Sequence, residues 1–430
     1  MKEFRNRIYY KIELTADSSL TIGSGNDVFT DHDVIVDNSG SPFIPATGID
    51  GALRAYISNA FGDDSAIDIF GKIAKNKTEI NVETKLRVYD ALCDSPDDQV
   101  YITTRDCVKL QNKVAVKGAK FDLQTVEKGT RFTSYIELLN DDCADKIENA
   151  LSAIDLGMIR FGAKTTRGFG KMRLTAYKRC ISNVFEWLEF KMYDDSSWVG
   201  VDSVDLDPGL CSRITFNIEL GLKDGLSIRE YSTEVNMPDY KTLSMKSSKK
   251  KTIPIIPGTT WVGAIKERCS EILNETDSSN RDLMDQLFGF VNDKTSECKK
   301  SEIWFDESTV DDGVDKEVTR NSIDRFSGGT KNGALYTELS YFGGNTELTI
   351  TLPLPVDDKV IFAIGVCLAD LHFGFLAVGG LTSVGRGLFE VKSVHVNGND
   401  LTEFIAVDEP QLKGFVSAVS KSIRRDADDE

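Results

Sequence analysis

Two glycine-rich stretches carry hydroxyl groups and cations in a pattern that suits phosphate binding. The first covers residues 162–170 (GAKTTRGFG) and the second covers residues 379–387 (GGLTSVGRG). Glycines let a backbone approach a polyanion closely, and short hydroxyl and cationic side chains are common phosphate partners. Those side chains are Lys164, Thr165, Thr166 and Arg167 in the first stretch and Thr382, Ser383 and Arg386 in the second. A purely structural turn is the alternative for either stretch taken alone.

Neither stretch has the context of a known nucleotide-binding loop. A Walker loop needs GK[ST] before a helix, and a dinucleotide fingerprint follows a strand and opens a helix. Here each stretch follows a predicted helix and precedes a predicted strand. The pattern therefore indicates contact with a polyanion rather than with a nucleotide cofactor.

A second feature occurs twice, as FIPATGIDGALR over 43–54 and IIPGTTWVGAIK over 255–266. It predicts a strand end, a turn and the first turn of a helix. Proline sets φ at the turn, and the threonines that follow are predicted to cap backbone N–H groups. These threonines are Thr47 in the first copy and Thr259 and Thr260 in the second.

The same motif places a glycine inside each helix, where glycine costs about 1 kcal/mol relative to alanine. Gly51 and Gly263 therefore suggest that something packs close against that helix face. A helix N-terminus with a cation one turn on, Arg54 or Lys266, is also suited to hold a phosphate. A capped helix with no ligand is the alternative.

These features belong to a tandem duplication. Pro45 and Pro257 lie 212 residues apart, and Arg105 and Arg320 lie 215 apart. Several such matches occur in the same order with offsets between 206 and 218, which indicates two copies of one domain. Each half is predicted as strand, loop, helix, hairpin excursion, strand, helix, glycine loop and strand. That order is typical of α+β proteins, here two tandem ferredoxin-like domains with an inserted β-hairpin each.

The pattern also predicts the domain limits. We expect a first domain over 1–177, a linker over 178–208, a second domain over 209–397 and a C-terminal extension over 398–430 whose acidic end is disordered. The two hairpins are expected to project near 108–120 and 323–335, because these stretches are too polar for a core.

Composition limits the function further. The net charge of −17 weakens a nucleic-acid-binding interpretation without excluding it, because acidic loops are usually solvated while the cations concentrate in the repeated motifs. No run of about 18 apolar residues occurs, so no membrane partner is expected. Eight cysteines form no CxxC pair, which indicates a reducing cytoplasm, and three histidines exclude a histidine-rich metal site.

The proline turn followed by GALR or GAIK, the hairpin sequences around Arg105 and Arg320, and the paired glycine loops resemble the RAMP superfamily of CRISPR effector proteins. The similarity is greatest to the backbone subunits of type III complexes and covers most of each half. The duplication is similar to the fused, two-repeat form of some type III-D systems. The resemblance implies a ferredoxin-like palm with a β-hairpin thumb, and a guide RNA lying on the glycine loop and the motif helix.

The resemblance also implies chemistry. Backbone subunits of this family that cut target RNA use one aspartate in the loop before the proline turn, with a divalent metal, Mg²⁺ or Mn²⁺. Asp31 best matches that position, and Asp33 and Asp37 are less well placed. Asp239 matches in the second half, although a lysine-rich insert lengthens its spacing to the proline. A carboxylate can hold a metal ion or orient a 2′-hydroxyl, but a lone loop aspartate is commonly a turn residue.

By the same resemblance, the expected partners are a guide CRISPR RNA, a target RNA and other effector subunits, including a large polymerase-like subunit. The implied RNA contacts are Thr47, Arg54, Arg105, Lys164, Thr165, Arg167, Gly168, Thr259, Lys266, Arg320, Thr382, Ser383 and Arg386. No metal ligand is assigned.

Three alternatives to a target-cutting subunit remain open. One is a non-catalytic RNA-binding scaffold, and another is an unrelated acidic duplicated protein. His32 also suggests a histidine-dependent guide-processing nuclease, although the second half has no equivalent histidine.

Overall fold

The chain forms two compact units, which a computed structural model describes over residues 5–25, 28–74, 81–95, 100, 102–111, 114–204, 213–231, 238–247, 251–276, 281–292, 297–405 and 409–428. Unit one comprises Met1–Thr165, Phe169–Cys211 and Ser247–Lys250. Unit two comprises Thr166–Gly168, Ser212–Lys246 and Lys251–Glu430.

Unit one is a mixed α+β unit. Its strands are β1 (Arg7–Ala16), β2 (Phe43–Ile44), β3 (Leu86–Val88), β4 (Ala91–Cys93), β5 (Ile102–Gln111), β6 (Val114–Val126), β7 (Arg131–Leu138) and β8 (Met172–Ile181). Its helices are α1 (Ala46–Phe61), α2 (Asp63–Phe70), α3 (Ala144–Asp155) and α4 (Val184–Glu189).

The main sheet of unit one has the strand order β2-β4-β7-β1-β8, with β3 also paired to β7. The first strand, β1, is central and lies antiparallel to both β7 and β8. Helix α1 follows β1 in sequence, and α3 connects β7 to β8. This arrangement is the ferredoxin-like fold, so the predicted fold class is confirmed for the first half.

Alternation along β1 separates two apolar layers. Ile8, Tyr10, Ile12 and Leu14 are buried with residues of α1 and α3 in the main core. Tyr9 instead belongs to a smaller cluster on the opposite side of the strand, with Ile181, Trp198 and part of the 190–201 segment. The segment expected as a linker is therefore part of unit one. Its first residues extend β8 to Ile181, and residues of the 190–201 segment pack on the second face of the sheet.

Unit two repeats the plan with additions. Its strands are β9 (Arg213–Leu222), β10 (Gly225–Leu226), β11 (Arg229–Tyr231), β12 (Tyr240–Thr242), β13 (Ser244–Ser247), β14 (Lys251–Ile256), β15 (Phe290–Asn292), β16 (Glu297–Lys299), β17 (Trp304–Phe305), β18 (Ser308–Asp311), β19 (Val314–Ile323), β20 (Thr330–Phe342), β21 (Asn345–Pro353), β22 (Phe389–Val396) and β23 (Asn399–Asp400). Its helices are α5 (Gly258–Thr276), α6 (Arg281–Phe288), α7 (Asp358–Phe373) and α8 (Glu409–Asp428).

The sheet of unit two has the order β13-β14-β18-β21-β9-β22-β23, with β17 also paired to β21. Strand β9 lies antiparallel to β21 and β22, as β1 does to β7 and β8. The order of the equivalent strands is therefore the same in both units, which confirms the second ferredoxin-like repeat.

Both predicted hairpins are present. Strands β5 and β6 form a separate two-stranded sheet in unit one, and residues 112–113 between them lie outside the described residues. In unit two, β19 pairs with β20 in a five-stranded sheet that also contains β10, β11 and β12. Side chains along β19 are almost all exposed, whereas Tyr341 near the end of β20 is buried in the core. The second hairpin is therefore exposed at its tip and anchored at its base.

The C-terminal end departs from the prediction. Helix α8 continues to Asp428 instead of ending in disorder, and its Phe415 and Val419 are buried in the core of unit two. Before it, Thr402–Phe404 form a single 3-10 turn. Within the described part of the chain, no helix is long and apolar enough to span a membrane.

A shortened second hairpin tests whether the base of the hairpin, and not its tip, is anchored in the core of unit two. Replacing residues 322–334 by Asn-Gly would join Asn321 to Leu335, which already face each other across the two strands. The removed side chains are mostly exposed, so we expect the free energy of unfolding to change by less than about 1 kcal/mol. Urea unfolding followed by circular dichroism measures this change. Loss of the cooperative transition would show that the tip contributes to the core.

Candidate nucleic-acid interface

Asp31 and Asp239 hold the same place in the two repeats. The Oδ2 atom of Asp31 accepts a hydrogen bond from the backbone N–H of Asp122, at 2.9 Å. The Oδ2 atom of Asp239 accepts one from the backbone N–H of Thr337, at 2.8 Å. Residues 122 and 337 lie on the return strands of the two hairpins, 215 residues apart, which is also the offset between Arg105 and Arg320. Both aspartates are exposed.

The residue after each aspartate is also placed equivalently. His32 forms a parallel bridge with Leu123, and Tyr240 pairs in parallel with Glu338. The His32 ring lies edge-on to Phe121 with ring centroids 6.1 Å apart, and the Tyr240 ring lies edge-on to Tyr336 at 6.2 Å. The lysine-rich insert, which carries Lys246, Lys249, Lys250 and Lys251, follows Asp239 in the chain, and its residues 248–250 lie outside the described residues.

The other two aspartates of the first loop bond to their own turns. The Asp33 carboxylate accepts hydrogen bonds from the N–H groups of Val28, Phe29 and Thr30 and from the Thr30 hydroxyl. The hydrogen bond from Phe29 contributes most to holding the pKa of Asp33 at about 2. Asp37 accepts hydrogen bonds from Ser39 and Ser41. Asp31 is the loop aspartate whose carboxylate reaches the hairpin.

Lys164 joins the first of these sites. It has a left-handed backbone with φ of 57°, and Leu381 has φ of 55° at the equivalent place in the second glycine loop. The Nζ atom of Lys164 lies 4.7 Å from the centroid of the Phe121 ring, the ring that also contacts His32. A cation and a carboxylate thus approach the same part of the first hairpin, while the second repeat has a leucine instead of the lysine.

The glycine loops are shaped partly by the protein itself. A Cβ atom on Gly170 would lie 1.9 Å from the Phe161 carbonyl oxygen, and one on Gly387 would lie 1.9 Å from the Val378 carbonyl oxygen. Both glycines also have positive φ. These two glycines are therefore required by the turn, whatever else the loops bind.

The hydroxyl groups of the loops differ in exposure. Thr165 is buried, whereas Thr382 and Ser383 are exposed. Gly168 belongs to unit two, where an added Cβ would lie 2.3 Å from the backbone nitrogen of Glu307. Thr382 and Ser383 are thus the loop hydroxyls that solvent or a ligand can reach directly.

The motif cations bond to backbone carbonyl groups in both repeats. Arg54 donates through Nη2 to the Gly71 carbonyl at 3.2 Å, and Lys266 donates through Nζ to the Gly289 carbonyl at 3.5 Å. Each carbonyl follows the short second helix, α2 or α6. Burial lowers the pKa of Lys266, and the nearby Arg167 lowers it further.

The remaining loop arginines are also engaged. Arg167, which belongs to unit two, donates to the Ser301 hydroxyl and the Phe288 carbonyl, and burial lowers its pKa. Arg386 lies 3.3 Å from the Asp224 carboxylate and 4.5 Å from the centroid of the Phe342 ring. The two arginines position the turns around them, and their contacts with RNA stay predictions.

The start of the motif helix differs from the prediction. The N-cap residue of α1 is Pro45, and no side chain caps it. The first helical N–H, of Ala46, instead donates to the Asp90 carboxylate at 2.6 Å. Thr47 and Thr259 therefore lie exposed in the first turns of α1 and α5, and the capping role expected of Thr47 is wrong.

The helix glycines likewise have no close neighbour within the chain. A Cβ atom added to Gly51 or Gly263 would meet no described atom within 4 Å, and both residues are exposed. The expectation of close packing against these positions is wrong for the protein's own residues. The two helix faces are open on the part of the chain that the structure describes.

Arginine–glutamate pairs lie at the base of each hairpin. Arg105, which is 5% exposed, donates to the Ser19 hydroxyl at 2.6 Å and to the Glu127 carboxylate at 3.1 Å. In unit two, Arg320 and Arg229 both contact the buried Glu338, at 3.2 and 3.1 Å. Sequence reasoning did not single out the two glutamates, because neither lies opposite its arginine in the strand register: Arg105 faces Leu123 and Arg320 faces Tyr336.

The buried pair gives a stability prediction. Arg105→Met would leave the Glu127 carboxylate buried without its cation, so we expect the free energy of unfolding to fall by about 3–5 kcal/mol. Arg131→Met is the matched control, because Arg131 and Asp94 form an exposed pair worth at most about 1 kcal/mol. Urea unfolding of both variants measures the difference, and equal losses would contradict a special role for the buried pair.

The fold and these sites define a class: a protein of two ferredoxin-like repeats, each with a hairpin whose return strand bonds to an exposed loop aspartate. The RAMP superfamily family model matches residues 13–173 and 198–390, which is most of the chain. The chain belongs to the RAMP superfamily.

Comparison with solved structures finds a chain of the cryo-EM structure of the Type III-B Cmr-beta bound to cognate target RNA. The two chains are 20% identical with a TM-score of 0.34, and the match covers 41% of this chain and 61% of that chain. No curated protein matches the sequence.

Proposed function

We propose that this protein is a guide-RNA-binding backbone subunit of a type III CRISPR interference complex, and that Asp31 and Asp239 cut the bound target RNA. The observation that supports cleavage is the equivalent placement of the two carboxylates, each bonded to a backbone N–H of a hairpin return strand. A turn residue has no need of the same distant partner in both repeats. Two such sites on one chain predict two cuts in one target RNA.

The RNA path is proposed to follow the features that remain accessible. Thr47 and Thr259 lie exposed in the first turns of the motif helices, and Thr382 and Ser383 lie exposed in the second glycine loop. Helix N-termini and hydroxyl groups favour phosphate oxygens, so binding is expected to be largely independent of sequence. Arginine carries five N–H donors, so Arg54 can retain its carbonyl bond and still meet a phosphate.

A divalent metal, Mg²⁺ or Mn²⁺, fits the first site only together with the substrate. The described residues contain no group of three or more carboxylate, histidine or cysteine side chains that could hold an ion alone. Magnesium is commonly bound by one or two carboxylates with substrate phosphates completing its shell. Asp31 is the residue that would hold it, and Asp239 would do so in unit two. When bound there, the ion would stabilise negative charge on the phosphate.

The residues of the chain have separate tasks in this proposal. The Asp122 N–H fixes one oxygen of Asp31, so the carboxylate is oriented before RNA binds. That carboxylate can take the proton of a 2′-hydroxyl as its oxygen attacks the adjacent phosphorus. The bond to the 5′-oxygen then breaks, and this oxygen takes a proton from water, which leaves a 2′,3′-cyclic phosphate and a 5′-hydroxyl. Lys164, beside the same hairpin, would place positive charge near the scissile phosphate.

The alternative is a scaffold that binds RNA without cutting it. The observation in its favour is that each site offers one carboxylate and no cluster of metal ligands among the described residues. In either case we propose guide RNA, target RNA and other effector subunits, including a large polymerase-like subunit, as partners in a reducing cytoplasm.

Substitution of the two aspartates distinguishes cutting from scaffolding. In the assembled complex with guide-matched RNA and Mg²⁺, Asp31→Ala is expected to remove one cut position and Asp239→Ala a second, each by at least about 100-fold. Guide and target binding should be unchanged, because the residues are needed for metal or proton chemistry. Denaturing gel analysis of end-labelled target maps the cuts, and EDTA should abolish both.

The matched control is Asp37→Ala, since Asp37 is an exposed carboxylate in the same loop that bonds to its own turn. It should leave both cuts in place. An unaltered cut pattern in the Asp31→Ala, Asp239→Ala double variant would leave the scaffold as the better description.

Lys164 gives a test of phosphate contact. Lys164→Ala is expected to reduce the steepness of log affinity against log salt concentration by about 0.7, the value for one phosphate contact on a single strand. Filter binding of labelled single-stranded RNA to the purified chain at several KCl concentrations measures the slope. Lys392→Ala, on β22 beside Asn345, is the control and should not change it. Identical slopes for Lys164→Ala and the wild type would remove Lys164 from the RNA path.

A further inference from the structure

The turn before Asp31 is held by one buried anion. Asp33, which is 6% exposed, accepts hydrogen bonds from the N–H groups of Val28 at 2.8 Å, Phe29 at 3.0 Å and Thr30 at 2.9 Å, and from the Thr30 hydroxyl at 2.8 Å. Hydrogen bonds to an anion are stronger than those between neutral groups. The turn at 28–30 therefore has a fixed backbone even though the side chains of Val28 and Phe29 are exposed.

This fixed turn presents apolar side chains that the protein does not use for packing. Phe29 is 83% exposed and Val28 is 73% exposed. A single exposed apolar residue is ordinary, but here two adjacent ones lie on a turn whose backbone is fixed by hydrogen bonds to one carboxylate. An apolar pair presented in this way is available to a ligand.

The position of Phe29 indicates which ligand. It lies two residues before Asp31, so the two Cα atoms are at most about 7 Å apart. A strand of RNA whose phosphate reaches Asp31 therefore comes within side-chain reach of Phe29. Aromatic side chains stack on nucleobases irrespective of sequence, because every base has a π-face.

We propose that Phe29 is a positioning residue that stacks on a target nucleobase next to the phosphate acted on at Asp31. This inference deepens the proposed function and rests on it. Stacking would fix the nucleotide so that its 2′-hydroxyl lies within reach of the Asp31 carboxylate. Val28, beside the ring, would extend the apolar surface.

The second repeat has a lysine where this anion lies. Asp31 and Asp239 lie 208 residues apart, and the same offset places Lys241 at the position of Asp33. Lys241 pairs with Glu230 and cannot accept hydrogen bonds from a turn. Stacking by Phe29 thus concerns the cut at Asp31 alone, and the cut at Asp239 is an internal control within the same complex.

The test compares the two cuts in Phe29 variants of the assembled complex with guide-matched RNA. Phe29→Ala is expected to lower the rate at the Asp31 cut by about tenfold, the loss of one stacked base, and to leave the Asp239 cut unchanged. Phe29→Tyr should restore the rate, because the ring is retained. Phe185→Ala, which removes a similarly exposed ring on α4, should change neither cut.

Fluorescence separates stacking from cutting. In an Asp31→Ala background, which prevents the first cut, the added indole of Phe29→Trp should be quenched when target RNA is bound. Absence of quenching together with an unchanged Phe29→Ala rate would overturn the stacking role. Loss of complex assembly in Phe29→Ala would also overturn it, in favour of a contact with another protein. If the wild type cuts nothing, the proposed function fails, yet quenching still reports whether the ring stacks.

Discussion

Buried arginine–glutamate pairs lie at the base of each hairpin, and each hairpin carries the groups that contact the loop aspartate. Glu127 and Glu338 are almost fully buried, and a buried carboxylate is stable only when it is paired and hydrogen-bonded. Glu127 pairs with Arg105, and Glu338 pairs with Arg229 and Arg320, so each carboxylate ties the base of its hairpin to its unit. The return strand of that hairpin then supplies the N–H for the aspartate and the ring beside it.

The fold could be predicted from the sequence because the same order of predicted strands and helices occurs in both halves of the chain. Matched offsets and alternating strands sufficed for two ferredoxin-like repeats. Local patterns failed where a distant group provides the partner. The first N–H of α1 bonds to Asp90, which is 44 residues away, so no capping threonine is needed. The end of the chain is helical because Phe415 and Val419 enter a core, which an acidic composition does not reveal.

The candidate sites were harder to predict than the fold. Asp31 and Asp239 came from a family resemblance, and the contacts that make them equivalent join residues about a hundred positions apart. Arg54 and Lys266 lie at sequence positions suited to phosphate binding. In the structure, each donates a hydrogen bond to a backbone carbonyl at the end of the next helix. A sequence shows that a cation is present but not which acceptor is nearest.

The repeats have also diverged within one geometry. In unit one, the Arg105 guanidinium lies over the Phe169 ring, and in unit two the Arg386 guanidinium lies over the Phe342 ring. Phe169 and Arg386 occupy equivalent places in their glycine loops, so the first loop supplies the ring and the second supplies the cation. Their partners are not equivalent, because Arg105 lies on β5 and Phe342 lies at the end of β20. Each loop thus makes its cation–ring contact with a different strand of the hairpin.

The central position of β1 has a consequence for biosynthesis. Its partners β7 and β8 end at residues 138 and 181, so the sheet of unit one cannot close on the ribosome until that length has been made. Such distant pairing gives a high contact order and slow folding. Until then, the backbone N–H and C=O groups of the strand RIYYKIELTA have no strand partner. An apolar strand with unpaired edges is prone to aggregation. Nascent chains of this protein are therefore expected to depend on chaperones until the first repeat is complete.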